Sequence, residues 1–352
     1  MEMFEILKAG IEKAASDVHM VVGKKPIVRV NGKMIDLEQY PVLSAAECKK
    51  LIFSILTDKQ KDHFEENLEL DCSFEIANVS RFRVNVLSQR NGTEAVLRLI
   101  PSKIPHPDDI GLTKSIIQFA DLPRGLVLVT GPTGSGKSTT LASLVEIINQ
   151  KRHEHILTIE DPIEFIYQSK NCIIRQREVG QQTKSFHNAL RTALRQDPDV
   201  VLIGEMRDLE TISAALTIAE TGHLVFATLH TSDAPQTVDR IIDVFPPHQQ
   251  QQIRVQLAST LKGVVSQALI PTSDGAGRVA AREIMIVTPA IGNLIREAKT
   301  HQIYSAIETG AANGMINLDK ALLQLVQAGT ISKDEAMAKA RRPEYIKSGG
   351  LL

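Results

Sequence analysis

Residues 131–138 read Gly-Pro-Thr-Gly-Ser-Gly-Lys-Ser, and that run leaves few folds open to the chain. Its spacing is that of a phosphate-binding loop, G-x-x-x-x-G-K-[ST]. A phosphate chain needs close backbone approach, which Gly131, Gly134 and Gly136 allow. The loop N–H groups and the positive end of a following helix would cradle β- and γ-phosphates. Thr133, Ser135 and Thr139 fall in the same loop and first helical turn as nucleotide contacts. Lys137 would supply a point charge, and Ser138 a ligand for Mg²⁺. The flanks agree. Gly125–Thr130 is a short apolar run entering the loop. Ser138–Gln150 is a helical pattern leaving it, with Leu141, Leu144, Val145 and Ile148 on one face.

The rest of the chain divides around that loop. Its 352 residues suggest two or three domains. Residues 1–100 read as an α+β module. Phe4, Leu7 and Ile11 mark a helical face, and strands are expected at 18–22, 26–30, 70–76, 80–88 and 93–100. Asn31-Gly32 and Asn91-Gly92 are hairpin turn signals. Ser44 with Glu47 makes a capping box for a helix reaching about Leu56. Pro101, Pro105 and Pro107 make 101–111 an interdomain linker. From 112 to 288 buried strands at 126–130, 156–160, 200–204 and 224–229 alternate with helices, which predicts a parallel sheet covered on both faces. Residues 289–352 form a mostly helical tail, with Ser348 onward expected to be disordered.

Composition narrows the class. Apolar residues are 43% and charged residues 23%, as in ordinary globular proteins. A net charge of −1 and the absence of Trp argue against direct nucleic-acid binding. No apolar run approaches the ~18–20 residues of a membrane span. The start of the chain, Met1-Glu-Met-Phe-Glu5, is unlike a signal peptide. Cys48, Cys72 and Cys172 are scattered, which fits a reducing, cytoplasmic compartment and offers no zinc site.

Three further blocks carry chemistry. Val200-Val-Leu-Ile-Gly-Glu205 is an apolar strand ending in an acid, where a P-loop ATPase places its Walker B element. Gly204 stands where the Mg²⁺-associated Asp is usual, and Glu205 is the candidate that polarises the attacking water. Ile156 to Glu164 ends another strand in Glu160, Asp161 and Glu164, acids suited to Mg²⁺ and water; Glu164 is second in line as the base. Thr221-Gly-His223 and His230-Thr231 bracket a third strand. They are too far apart along it for a metal pair, and are read as contacts to γ-phosphate or a neighbouring subunit.

Taken together, these four blocks resemble the secretion and type IV pilus motor ATPases. Ala15-Ser-Asp-Val-His19 and Arg81-Phe-Arg-Val-Asn85 extend the resemblance to the first module. Within the family the chain resembles the retraction ATPases. Assembly and type II secretion relatives carry an extra N-terminal domain and usually a four-cysteine zinc element, whereas this chain begins at the module. Ala290-Ile-Gly-Asn-Leu-Ile-Arg-Glu297 resembles a retraction-linked signature, with Gly292 where the family usually has Arg. Ile291, Leu294 and Ile295 are expected to pack, with Asn293, Arg296 and Glu297 outward.

The resemblance implies a PAS-like α+β domain, a RecA-like α/β P-loop ATPase domain and a homohexamer fuelled by ATP and Mg²⁺. It also implies docking on an inner-membrane pilus platform protein (PilC-like), peripheral to the cytoplasmic face. The work done would be pilus disassembly, twitching motility and often DNA uptake. A ring motor must neutralise charge on the transferred phosphoryl, and Arg83 and Arg98, on adjacent expected strands, are the candidate arginine fingers, with Arg195 and Arg207 in reserve. An accessory retraction motor, an extension or secretion motor, a DNA-translocating motor and a non-hydrolysing nucleotide switch are the competing readings.

Overall fold

The computed structural model describes residues 2–30, 32–76, 79–100, 103–275 and 277–350. The chain divides into two compact units, Met1–Lys103 with Glu164–Ile166, and Ile104–Ile163 with Tyr167–Leu352.

The first unit is an antiparallel sheet with helices. Its strands are β1 (Asp17–Met20), β2 (Ile27–Val30), β3 (Lys33–Asp36), β4 (Glu69–Ile76), β5 (Ser80–Gln89) and β6 (Gly92–Ile100), in the order β3-β2-β1-β6-β5-β4. Alternation sorts the side chains. Phe82, Val84 and Val86 of β5 are buried with Leu97 of β6, while Arg83 and Arg98 face outward as a cross-strand pair. The helix Met3–Glu12 adds Met3, Ile6 and Leu7 to that core. Ser44 and Glu47 form the expected capping box of the helix Ala45–Phe53. A helix at Asp58–Asn67, which the sequence pattern does not announce, has a single buried residue, Phe64, so its apolar periodicity is weak. Gly32 takes the left-handed φ of +80° that its turn requires, and Asn31 lies outside the described residues. Pro101 also lies outside them.

The second unit is built on a seven-stranded sheet among the described residues. It comprises β7 (Gly125–Thr130), β8 (His155–Glu160), β9 (Ile173–Glu178), β10 (Val200–Ile203), β11 (Leu224–Leu229), β12 (Leu261–Pro271) and β13 (Arg278–Ile286). The order is β13-β12-β7-β11-β10-β8-β9, parallel except for the β12–β13 hairpin. Every residue of β7, β10 and β11 is buried. Leu126 and Leu128 pack with one core while Val127 and Val129, on the opposite face, are equally buried, so both faces are covered. This is the RecA-like arrangement. It places the loop after β7 and the residues after β8, β10 and β11 along one edge, the carboxyl ends of the strands, where ligands of open α/β sheets bind.

The sequence pattern does not foretell β9, β12 or β13. β9 is a polar edge strand, and β12 follows the helix Pro247–Thr260 with no breaker between. The C-terminal helices Leu318–Gln327, Lys333–Lys339 and Pro343–Lys347 close a smaller core of Ile270, Leu322, Ile331 and Ile346. Asn317 and Ser332 cap the first two. Ser348–Gly350 are ordered against expectation: the Gly350 N–H donates to the Tyr345 carbonyl at 2.9 Å. Among the described residues no helix is long and apolar enough to cross a membrane.

Candidate active site

The loop after β7 folds as its glycines allow. Gly131, Gly134 and Gly136 have φ of +138°, +77° and +86°. A Cβ on Gly131 would lie 2.3 Å from the Gln267 carbonyl oxygen. Gly136 is the N-cap of the helix Lys137–Lys151, whose Leu141, Leu144, Val145 and Ile148 are buried as predicted. Thr133, Gly134 and Ser138 are exposed and Thr139 is half-buried, while Ser135 is buried with a hydroxyl that has no partner among the described residues. The Lys137 ammonium lies back on the loop, donating to the carbonyls of Gly131 at 2.9 Å and Pro132 at 3.1 Å. Burial lowers its pKa, and the charge of Glu205 opposes that shift. A glycine-lined helix N-terminus, an orphaned buried hydroxyl and a lysine with only carbonyl partners fit a phosphate chain.

Glu205 follows β10 and is clamped from two sides. Arg207 Nη2 is 2.7 Å from Oε2, and His230 Nε2 is 2.9 Å from Oε1. Partial burial would raise the carboxyl, but the Arg207 hydrogen bond and charge, then His230 and Lys137, hold it below its ordinary range. It is an anion at neutral pH, as a group that polarises water must be. Gly204 is explained by packing. A Cβ there would meet the Glu160 Cα at 3.2 Å and the Ile159 carbonyl at 3.3 Å. Its own carbonyl accepts from Thr228 Oγ1 at 2.5 Å, which fixes the turn that presents Glu205.

The acids after β8 separate. Glu160 is 6% exposed and accepts from Thr158 Oγ1 at 2.7 Å and Gln176 Nε2 at 3.3 Å, so part of its capacity is spent inside the fold. Asp161 is close enough for its charge to support Arg207. Glu164 falls in the short stretch that belongs with the first unit. Among the described residues no three His, Cys, Asp or Glu are grouped to hold a metal. Mg²⁺ that keeps several waters needs only one or two protein oxygens, and the accessible Ser138 hydroxyl is of that kind.

The two histidines part company. β11 pairs in parallel with β7, Leu224 opposite Gly125 and Leu229 opposite Thr130. His230 is therefore level with the loop, while His223 sits at the other end of a strand about 20 Å long. The His223 ring bonds to the Ile218 carbonyl at 3.0 Å and Thr221 Oγ1 at 3.1 Å. Within one subunit it is not a γ-phosphate contact, because strand register carries it away. In the first unit, Arg98 Nε donates to Asp17 Oδ1 at 2.9 Å, with its side chain still 66% exposed. Arg83 is exposed opposite it.

The sequence does not assign two residues of the site the part they play. Arg207 is only a reserve arginine candidate in the sequence, yet it is the closest partner of Glu205. Gln267 reaches the loop from β12. No motif marks a glutamine in an apolar strand; one amide amid Val264, Val265 and Ala268 is the available signal.

The chain is similar to known proteins along nearly its whole length. A family model described as "Type II/IV secretion system protein" matches residues 3–338. The chain is 52% identical to a type IV pilus retraction ATPase, PilT, of Pseudomonas aeruginosa, covering 98% of this chain and 99% of that one. It is 51% identical to a twitching motility protein of Neisseria gonorrhoeae over 91% of this chain and 86% of the relative. A crystal structure of the pilus retraction motor PilT with bound ADP superposes with a TM-score of 0.93 at 45% identity, covering 99% of both chains.

Proposed function

The chain belongs to the type II/IV secretion system protein family, and we propose that it is a motor that hydrolyses ATP to retract type IV pili, with twitching motility as the result in cells. The observation that supports hydrolysis best is Glu205, ionised and held between Arg207 and His230 at the strand ends that carry the phosphate loop. The similarity to a retraction ATPase covers 98% of the chain at 52% identity, which favours retraction over a generic motor.

The residues divide the work. Gly131 to Gly136 offer N–H groups to the β- and γ-phosphates, and Lys137 exchanges its two loop carbonyls for phosphate oxygens. Mg²⁺, when bound, neutralises charge on those oxygens. Ser138 is its protein ligand at the loop, with Glu160 and Glu164 as acids that orient its waters. Glu205 accepts a hydrogen bond from the attacking water, and His230 holds Oε1 so that the other oxygen is shared between Arg207 and water. Arg83 and Arg98 act as arginine fingers, Asp17 gripping the Nε edge of Arg98 so that its fork points outward. His223 serves at the far end of the sheet, where a neighbouring subunit is its natural partner. The chain assembles as a homohexamer on a PilC-like platform protein at the cytoplasmic face of the inner membrane.

A deletion strain complemented with wild type or Glu205→Gln tests this reading. The expected result is excess surface pili and no twitching with the variant, and normal values with wild type. A deletion strain lacking pili altogether would point to extension instead.

A further inference from the structure

Gln267 is 3% exposed in the middle of β12. A buried amide is costly unless its polar atoms are satisfied. Both of its satisfied ends serve one object. Nε2 donates to the Ser135 carbonyl at 2.6 Å, within the phosphate loop. Oε1 accepts from Thr140 Oγ1 at 2.9 Å, in the first turn of the helix that leaves the loop. The backbone joins in, because the Gln267 carbonyl is what a Cβ on Gly131 would strike. One residue of β12 thus meets the loop at its start, near its end and just beyond it. Next door, Ser266 Oγ accepts from Thr130 Oγ1 at 2.9 Å, so the strand residue that enters the loop is pinned as well.

We infer that Gln267 is a positioning residue for nucleotide binding, presetting the phosphate loop in its cradle shape before any phosphate arrives. A loop with three glycines is free to take many conformations. Only one aims its N–H groups at a single point, and ordering it on binding would weaken affinity. Hydrogen bonds from a strand paired on both sides meet that cost in the folding of the protein instead. Thr140 completes the grip by tying the same amide to the helix, so loop and helix N-terminus move as one piece. The inference rests on the ATPase reading but concerns ground-state binding, not the cleavage step.

The test is nucleotide binding by the purified full chain, with a fluorescent ADP analogue, beside steady-state ATPase. Gln267→Leu keeps the volume and removes both bonds. It is expected to raise the Kd for ADP and the KM for ATP about tenfold each, the size of losing a buried hydrogen bond, while kcat at saturating ATP stays within about twofold. Thr140→Val, which removes one bond, is expected to weaken binding about threefold. The double variant is expected to bind no worse than Gln267→Leu, because the two act through one grip. Gln267→Glu separates positioning from packing. A protonated carboxyl can donate to the Ser135 carbonyl and a carboxylate cannot. Affinity relative to wild type is therefore expected to be better at pH 6 than at pH 8.

Wild-type affinity in both Gln267→Leu and Thr140→Val overturns the inference. So does a loss of affinity that only follows a lowered Tm, with no pH effect in Gln267→Glu. If Gln267→Leu fails to fold, Thr140→Val and the pH dependence of Gln267→Glu decide alone. Failure of the wild-type chain to bind ADP at all would instead overturn the ATPase reading.

Discussion

Glu205 shows how little of a residue's role is set by its type. A carboxylate at the end of an apolar strand could be a helix cap or a base; Arg207 and His230, which flank it, make it a fixed anion aimed at the loop. Lys137 contributes in the ground state and Glu205 in the cleavage step. Lys137→Ala is therefore expected to lose nucleotide affinity. Glu205→Gln is expected to keep it and lose ~10²–10⁴-fold in kcat, the usual scale of general base catalysis. Isothermal titration with ADP beside steady-state ATPase separates the two. Arg207 adds a pH signature. It is the foremost group lowering the Glu205 pKa against burial, so Arg207→Ala raises that pKa. Protonation then disables the base at a higher pH, and the acid limb of kcat/KM moves upward. An unmoved limb in Arg207→Ala would mean that Glu205 is not the group titrating.

Elements were legible where their chemistry was redundant. The strand entering the loop, the helix leaving it and the strand before Glu205 each combine an apolar pattern with a boundary signal. The edge strand β9 and the hairpin β12–β13 lack that agreement: one is polar, and the other runs on from a helix without a break. Part of the site stayed hidden in the sequence for the same reason, since Gln267 reaches it from a strand that no pattern announced. The helix Pro289–Arg296 divides the two cases internally. Ile291 and Ile295 are fully buried, Leu294 is half-buried, and Asn293, Arg296 and Glu297 are exposed, as the periodicity required. Gly292 is buried, however, so the tolerance for Arg expected of an exposed position does not apply. A Cβ there would meet the Ala258 carbonyl at 3.4 Å and Arg296 Nη1 at 3.7 Å. The methyl of Gly292→Ala fits as an ordinary contact, and helix propensity favours it by up to about 1 kcal/mol. Gly292→Arg brings a second guanidinium against Arg296 and is expected to destabilise. Calorimetric Tm values of opposite sign for the two variants are the expected result. Ile295→Ala costs about 2–5 kcal/mol as plain core damage. Leu294→Ala, at the helix margin, is the variant expected to impair retraction in cells while sparing ATPase in solution.

At the scale of the molecule, the second unit is tied together by two buried ionisable side chains on β13, an edge strand. Arg282 donates to the carbonyls of Ile110 at 2.8 Å and Gly111 at 3.0 Å, where the chain enters the unit. Glu283, next in sequence and so on the opposite face, accepts from the Ala234 N–H at 2.9 Å. That amide opens the helix following His230, and the Leu318 amide, at the start of the C-terminal helices, is near enough to lower the Glu283 pKa. One carboxyl thereby ties β13 to the loop beside the active site. Burial pushes Glu283 up to about 7, with Asp233 adding to the rise and the two amides and Arg341 opposing it. The sign follows. A folded pKa above the ordinary 4.5 means that the stabilisation is complete below about 4.5 and is lost as pH rises through about 7. The full loss is roughly 3 kcal/mol at most. Glu283→Gln keeps an acceptor for Ala234 and has no charge to lose. The difference in Tm between wild type and Glu283→Gln is therefore expected to grow in the variant's favour between pH 4.5 and 7 by several degrees, and to level off above. Arg341→Ala removes an opposing charge, so its window is expected to extend to higher pH. Parallel Tm curves for wild type and Glu283→Gln across that range would mean that Glu283 stays charged in the fold, with the two amides and Arg341 outweighing burial.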